Sequence, residues 1–504
     1  MSFSEIIGVI DDWAWSYPLL ILLVGTGLFL SIRLAFVQFR KFGYSMKNTA
    51  GKMFEKKKAG KGEVTPFQAL TTALAATVGT GNIVGVTGAV VVGGPGAVFW
   101  MWISALLGMC TKFCEVVLAV KYREKNKKGE WVGGPMYYIR NGIGKKWTWL
   151  AVLFCIFGGL AAFGIGNATQ VNSIAEAIST AIDSLGGNTA ATQLTFLGST
   201  FKLSYLIVGI VVAIIVAIVI IGGIKVIGQV TEKIVPFMAV VYIIAALIVI
   251  FADIRFIGKV FGMIFEGAFS PRAALGGAFG ITVLTAMKKG VGRGCFSNEA
   301  GLGSAPIAHA STSETNPVRQ GVYGIFEVFM DTIVICTLTC LTVLCSYHAG
   351  GVGFEWGTSG GAAIVSTALG SILSSGVGSV IIAVCLSLFA LSTIMSWSLY
   401  GVRCCEFIFK ISAIHTSVFR YMSVNLFICR SQGMTKTQFI EPRHVSIIYK
   451  KHRSHHEDQQ SDKQDAELAG DRSGLAGLIH SMLPPSVTLL SQWCRTCNPF
   501  PRSS

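Results

Sequence analysis

The sequence predicts an all-α polytopic membrane protein with an inverted repeat at its centre. Three observations carry this. Hydrophobic residues make up 52% of the 504 residues and charged residues only 13%, about half the roughly 25% of a soluble protein. The apolar residues fall into runs long enough to cross a ~30 Å hydrocarbon core, which takes about 20 helical residues. Two of those runs are interrupted by glycine-rich breaks and point in opposite directions through the membrane. This composition excludes a disordered chain, a fibrous repeat and a disulfide-stapled miniprotein. A membrane barrel would show short alternating segments instead.

The spans are predicted in chain order at 17–36, 67–92, 95–120, 149–180, 204–223, 234–252, 271–287, 320–346 and 376–400. The first is no cleaved leader, since Glu5, Asp11 and Asp12 precede it and basic residues follow. The net charge of +15 is a matter of orientation, not of nucleic acid. Nine Lys and Arg fall in 33–66 and eight in 121–148. The opposite side holds only Lys202, Arg255, Lys259 and Arg272. The positive-inside rule then places the N-terminus outside and both basic loops in the cytoplasm. Cys110, Cys155, Cys336, Cys340 and Cys385 lie inside apolar runs, where a free Cys acts as a small hydrophobe.

A membrane-spanning domain is expected over 1–410 and a separate polar, disordered or frame-shifted tail over 411–504. Within the tail, an apolar patch at 416–429 is too short to span, and Cys494 and Cys497 form a lone CxxC, a weak zinc signal.

Thr77-Val78-Gly79-Thr80-Gly81-Asn82 breaks the second run. Non-helical backbone in a bilayer is tolerated only where protein buries it or it lines a cavity. Opened amides suit a carboxylate and opened carbonyls suit a cation. Gly79, Gly81 and Gly85 would equally permit close helix packing, and both readings stand. Gly276-Gly277-Ala278-Phe279-Gly280 breaks the seventh run. Five spans separate the two breaks, an odd number, as an inverted repeat of five helices requires.

Ser392 and Thr393 offer hard oxygen donors suited to Na⁺, with Trp397 one turn on; bonding back to their own helix carbonyls is the alternative. Asn167 and Gln170 should face the interior, because unpaired amides are costly in lipid. Asp331 is a deep carboxylate and so a candidate functional group. Glu115 is expected to partner a basic residue near the cytoplasmic end, and His309 to lie in a cytoplasmic loop. No Walker loop, GxSxG, HExxH or Cys/His cluster supports an enzyme, and no carbonyl filter supports a channel.

The runs Thr77-Val78-Gly79-Thr80-Gly81-Asn82-Ile83, Gly93-Gly94-Pro95-Gly96-Ala97-Val98-Phe99-Trp100-Met101-Trp102, Gly133-Gly134-Pro135-Met136-Tyr137-Tyr138, Phe296-Ser297-Asn298-Glu299-Ala300-Gly301-Leu302-Gly303-Ser304-Ala305-Pro306 and Glu327-Val328-Phe329-Met330-Asp331-Thr332 resemble the bacterial alanine/glycine:cation (sodium:alanine) symporter family. The resemblance covers about residues 1–410. It implies the five-plus-five inverted-repeat fold of amino-acid transporters, with one extra N-terminal helix at 17–36. It implies sodium-coupled symport of small neutral amino acids (alanine, glycine) into the cell by alternating access.

Carried over by residue, the resemblance gives Thr80 and Gly81 to the substrate carboxylate through their backbone N–H groups, with Asn82 also among the substrate-binding residues. It gives the Ala75 and Val78 carbonyls and the Ser392 and Thr393 hydroxyls to the sodium ion. Gln170, Phe279, Ile281, Thr393 and Trp397 would line the pocket, and the break at Gly276 and Gly277 would face the substrate's amine. The implied partners are the amino acid, Na⁺ as coupling ion and the lipid of a bacterial cytoplasmic (inner) membrane. No cofactor, no metal beyond sodium and no nucleic acid are implied.

Beyond about residue 410 the family pattern fades, and the last two core helices are expected to be missing, replaced by a tail that reads as frame-shifted. A non-functional truncated copy and a proton-coupled transporter remain the alternatives.

Overall fold

The protein is described from a computed structural model, which defines residues 3–15, 18–52, 59–60, 62–196, 199–269, 283–358 and 361–409. The glycines at 276–280 and everything beyond 409, including the expected loss of the last two helices, the 411–504 tail and its CxxC, lie outside these residues.

Among the described residues six helical stretches are long and apolar enough to cross a bilayer: Gly96–Lys121, Lys145–Ser184, Leu203–Ile221, Gly223–Ala252, Pro317–Ala349 and Ser375–Phe409. A bent pair, Pro66–Thr77 with Thr80–Gly93, makes a seventh. The first span is the shorter helix Pro18–Arg33, which ends before the expected 36 because Ala35 and Phe36 take positive φ.

Most of the span expected at 271–287 lies outside the described residues, which resume at 283. Helix Ile257–Phe269, which was not expected, precedes that stretch and helix Val283–Asn298 follows it. The first was overlooked because Gly258, Gly262 and Gly267, with Lys259 and Glu266, interrupt its apolar run. Packing supplies what the run lacks: Gly267 meets the Gly96 backbone, leaving no room there for a Cβ.

The long spans bury one side and leave the other apolar and exposed, as lipid-facing helices do. On Leu203–Ile221, Ile207, Ile214, Ile218 and Ile221 are exposed while Gly209, Val212, Ala213 and Val216 are buried. Two helices cross the centre. Gly96–Lys121 carries Val283–Asn298 and Pro317–Val328 against it, and Ser375–Phe409 carries both halves of the 145–184 span. The opened helix 66–93 lies between them, with Pro66–Thr77 packed on Gly223–Ala252 and on Ser375–Phe409.

Two hairpins close loops, Glu124–Lys125 with Trp131–Val132 and Gln193–Phe196 with Ser199–Lys202. The strand-like segment before residue 66 is pinned across the chain, with Val64 N–H bonding the Ser311 carbonyl and Ser313 N–H bonding that of Val64. Cys110, Cys155, Cys336, Cys340 and Cys385 are free and buried, as expected.

Candidate functional site

Local chemistry opens the 66–93 helix. It begins firmly: Pro66 sits at the first position, and Thr65 and Gln68 form a reciprocal cap with both bonds at 3.1 Å. The regular ladder runs as far as Val78 N–H to Leu74 O, at 2.7 Å. Val78 then leaves the helix and Gly79 is extended, one tight turn follows over Thr80–Asn82, and the chain resumes as Val84–Gly93 at 55° to its start. The break anticipated at 77–82 is therefore present.

Four helices hold the opened segment. Asn82 Oδ1 accepts the Gly79 N–H at 2.9 Å, and Asn82 Nδ2 donates to Asp331 Oδ1 at 2.6 Å. Asp331 also accepts from Thr332 at 2.8 Å and Ser297 at 3.3 Å. Thr80 gives its hydroxyl to Gln170 Oε1 at 3.0 Å and its N–H to the same oxygen at 3.4 Å. Gln170 in turn donates to Ile165 O at 3.1 Å, a carbonyl in the wide turn Gly164–Ala168, where Asn167 also donates to Ala162 O at 2.6 Å. Both amides are buried and face the interior; Gln170 is bonded through both amide atoms, while Asn167 Oδ1 has no hydrogen-bond partner among the described residues.

On the other side, the Thr393 hydroxyl lies 2.9 Å from Ala75 O and 2.9 Å from Phe389 O, its own helix carbonyl one turn back. Ser392 donates to Phe389 O at 2.9 Å. Gly79 must be glycine for this approach, since a Cβ there would stand 2.6 Å from Thr393 Oγ1. Val78 is buried at the end of the same half-helix.

A cavity of about 550 Å³ opens beside the break, lined by Gly79, Thr80, Gly81, Gln170, Thr393 and Trp397 among others. Five of the sequence-predicted binding residues thus converge: Thr80, Gly81, Gln170, Thr393 and Trp397. Asn82 is not in the lining; it serves the break from behind, through Asp331. Ala75, Val78 and Ser392 lie just beneath. Gly276, Gly277, Phe279 and Ile281 fall outside the described residues.

Sequence reasoning missed Trp15, Arg293 and Glu299, which also line the cavity. Two signals could have found them: Arg293 is a charge in the middle of a glycine-rich apolar run, and Glu299 sits inside the quoted 296–306 motif. Glu299 takes a positive φ of 55° and accepts from Ser304.

Two expectations are corrected. Glu115 bonds the Gly301 and Gly303 amides at 3.3 and 3.1 Å, while the basic residue of its helix, Lys112, pairs with Glu327 at 3.4 Å. His309 is no loop residue at the surface: it is wholly buried, bonded to Glu327 at 3.1 Å and Gln320 at 2.9 Å.

The model of the sodium:alanine symporter family matches residues 1–440. The chain belongs to that family. The match runs past the point near 410 at which the family pattern had been read as fading. A sodium/alanine symporter, AgcS, of Methanococcus maripaludis is 42% identical over 413 residues, 81% of this chain and 84% of that protein. A probable sodium/glutamine symporter, GlnT, of Bacillus subtilis is 36% identical over 351 residues, 69% and 67% of the two chains. The crystal structure of MhsT in complex with L-phenylalanine superposes with a TM-score of 0.53 at 16% identity, covering 76% of this chain and 83% of that one. The fold is therefore the inverted-repeat transporter fold. The family member is a multi-pass membrane transporter of amino acids, not an enzyme.

Proposed function

We propose that this symporter couples Na⁺ entry to uptake of small neutral amino acids, alanine and glycine, across the cytoplasmic membrane by alternating access. Its N-terminus lies outside, as the Lys and Arg distribution favours. The observation that carries the reading is the meeting of the Thr393 hydroxyl with the Ala75 carbonyl directly beneath the opened backbone at 78–82. A hydroxyl that donates its one proton to a carbonyl keeps its lone pairs for a cation. Ala75, Val78, Ser392 and Thr393 form the sodium seat. Thr80 and Gly81 take the substrate carboxylate, while Gln170 and Trp397 bound a pocket that suits a small side chain.

Coupling follows from geometry. Na⁺ bridging the 66–77 half-helix and the 375–409 helix holds the break in its binding-competent form. An ion that binds one state better shifts the population toward it and raises substrate affinity by the same factor.

The test is uptake of labelled alanine by proteoliposomes holding the full chain. Uptake should saturate, require inward Na⁺ and be competed by glycine. Thr393→Ala should raise the Na⁺ needed for half-maximal uptake about tenfold or more, the worth of one oxygen ligand, and Thr393→Ser should recover most of it. Uptake driven by a pH gradient without Na⁺ would replace sodium by protons.

A further inference from the structure

One group at the cavity has no part in the scheme above, and its chemistry is conspicuous. Arg293, on helix Val283–Asn298, lines the cavity together with Thr80 and Gly81. Its Nε and Nη2 are buried and have no hydrogen-bond partner among the described residues. A guanidinium cannot shed its charge, and a buried charge without a partner is strongly disfavoured.

Its surroundings aim it at the break. A Cβ on Gly81 or on Gly85 would overlap the guanidinium, so the Arg293 side chain lies directly against the backbone at both positions. The Phe296 ring supports it at 5.1 Å from the centroid. The deep carboxylate nearby, Asp331, already accepts from Asn82, Thr332 and Ser297. What remains is a planar fork of donors beside backbone amides, open to a cavity sized for a small solute. Carboxylates match that fork bidentately.

We propose that Arg293 is a ligand of the transported amino acid's α-carboxylate, closing a two-sided seat with the Thr80–Gly81 backbone. This inference rests on the transport reading above and deepens it, since it makes a free carboxylate the feature the site selects. Alaninamide and alaninol, which lack that group, are then rejected because they leave the guanidinium unpaired.

The test compares the wild type with Arg293→Gln and Arg293→Lys, full chain, by alanine uptake and by equilibrium binding of labelled alanine to purified protein. Arg293→Gln should weaken alanine binding and raise KM by about 10- to 100-fold, the worth of a charge-assisted hydrogen bond, with kcat changed far less. Arg293→Lys, which keeps charge but loses the fork, should fall between. Alaninamide is expected to inhibit the wild type only weakly, and Arg293→Gln should not weaken that inhibition further.

A fall in kcat with unchanged KM and unchanged binding would overturn the proposal, because Arg293 would then serve the fold or a gate. Equal weakening toward alanine and alaninamide would overturn it as well. If Arg293→Gln does not fold, Arg293→Lys decides: alanine affinity drops several-fold for a ligand and is unchanged for a purely structural charge. Should the wild type bind alanine through Arg293 yet show no Na⁺-driven uptake, the transport reading fails and the carboxylate seat stands.

Discussion

The opened helix at 78–82 and the buried cluster around Glu327 lie in one protein but are held in opposite ways. The break is fastened by hydrogen bonds of short amide and hydroxyl groups to separate helices: Asn82 to Asp331, Thr80 to Gln170, Thr393 to Ala75. The cluster is fastened by charge. Glu327 takes Lys112 on one oxygen and His309 on the other, and all three are fully buried.

The cluster's wiring also assigns its protons. Gln320 Oε1 accepts from Thr312 at 3.0 Å, so the Gln320 amide nitrogen donates to His309 Nδ1. His309 then carries its proton on Nε2 and gives it to Glu327. Lys112 faces the other Glu327 oxygen at 3.4 Å. Every member has a defined role, so the cluster has one good arrangement. It ties the 96–121 helix to the 305–312 segment and the 317–328 helix. The break has bonds that are individually weak and can be exchanged for an ion or a solute. A transporter needs both, a clamp that does not move and a seam that does.

Cutting the clamp should therefore have the largest effect. Glu327→Ala leaves Lys112 charged and unpaired, which costs about 3–5 kcal/mol. It should drop the thermal midpoint in detergent sharply or abolish the folded protein. Replacing Lys112 and Glu327 together by Met and Leu should restore much of that stability. A double variant no better than the single would show that the ion pair is not what the cluster contributes.

Cutting the seam should cost less stability and more function. Asn82→Ala frees the Gly79 N–H and takes the 2.6 Å donor from Asp331. The loss is about 1–3 kcal/mol, visible as a modest shift of the midpoint alongside a much larger fall in alanine uptake. Uptake and stability falling in proportion would erase the distinction between seam and clamp.

The smallest effect belongs to a third site, between the 121–148 loop and the end of the 375–409 helix, where Arg403 bonds Glu130 at 2.8 Å. Partial burial pushes the Glu130 carboxyl upward, but the Arg403 charge and the Arg403 and Asn126 hydrogen bonds outweigh it and hold the group below its ordinary range. A depressed carboxyl stabilises the folded state above its unfolded pKa, roughly 4.3, and the benefit is lost as pH falls through the lower folded value. Glu130→Gln should remove that acid-side loss, a difference of about 1 kcal/mol or less for a partly exposed pair. Midpoints measured across that acid window check it; an identical acid profile in both proteins would dismiss the contribution.

The parts of the fold legible in the sequence were those written in short stretches of chain. Runs such as 203–221 declare themselves by composition, and the break at 79–81 by its glycines. The helix 257–269 did not, since its glycines and charges resemble a loop until Gly96 is seen against Gly267. The site was legible in parts: Thr80, Gly81, Gln170, Thr393 and Trp397 converge as expected. Arg293 was passed over because nothing along the chain marks it as facing Gly81 and Gly85. His309 looked like a loop residue because its partners, Gln320 and Glu327, lie on another helix.

By itself the sequence determined that the chain lives in a bilayer, how its loops divide by charge, where one helix must open and which family it belongs to. Hydropathy, charge and glycine act locally, so a single strand of text carries them. The tertiary structure alone decided which carbonyl meets which hydroxyl. Thr393 reaches Ala75 across 318 residues, and Asn82 reaches Asp331 across 249. Such pairs are chosen by how helices pack, and packing depends on all the helices together.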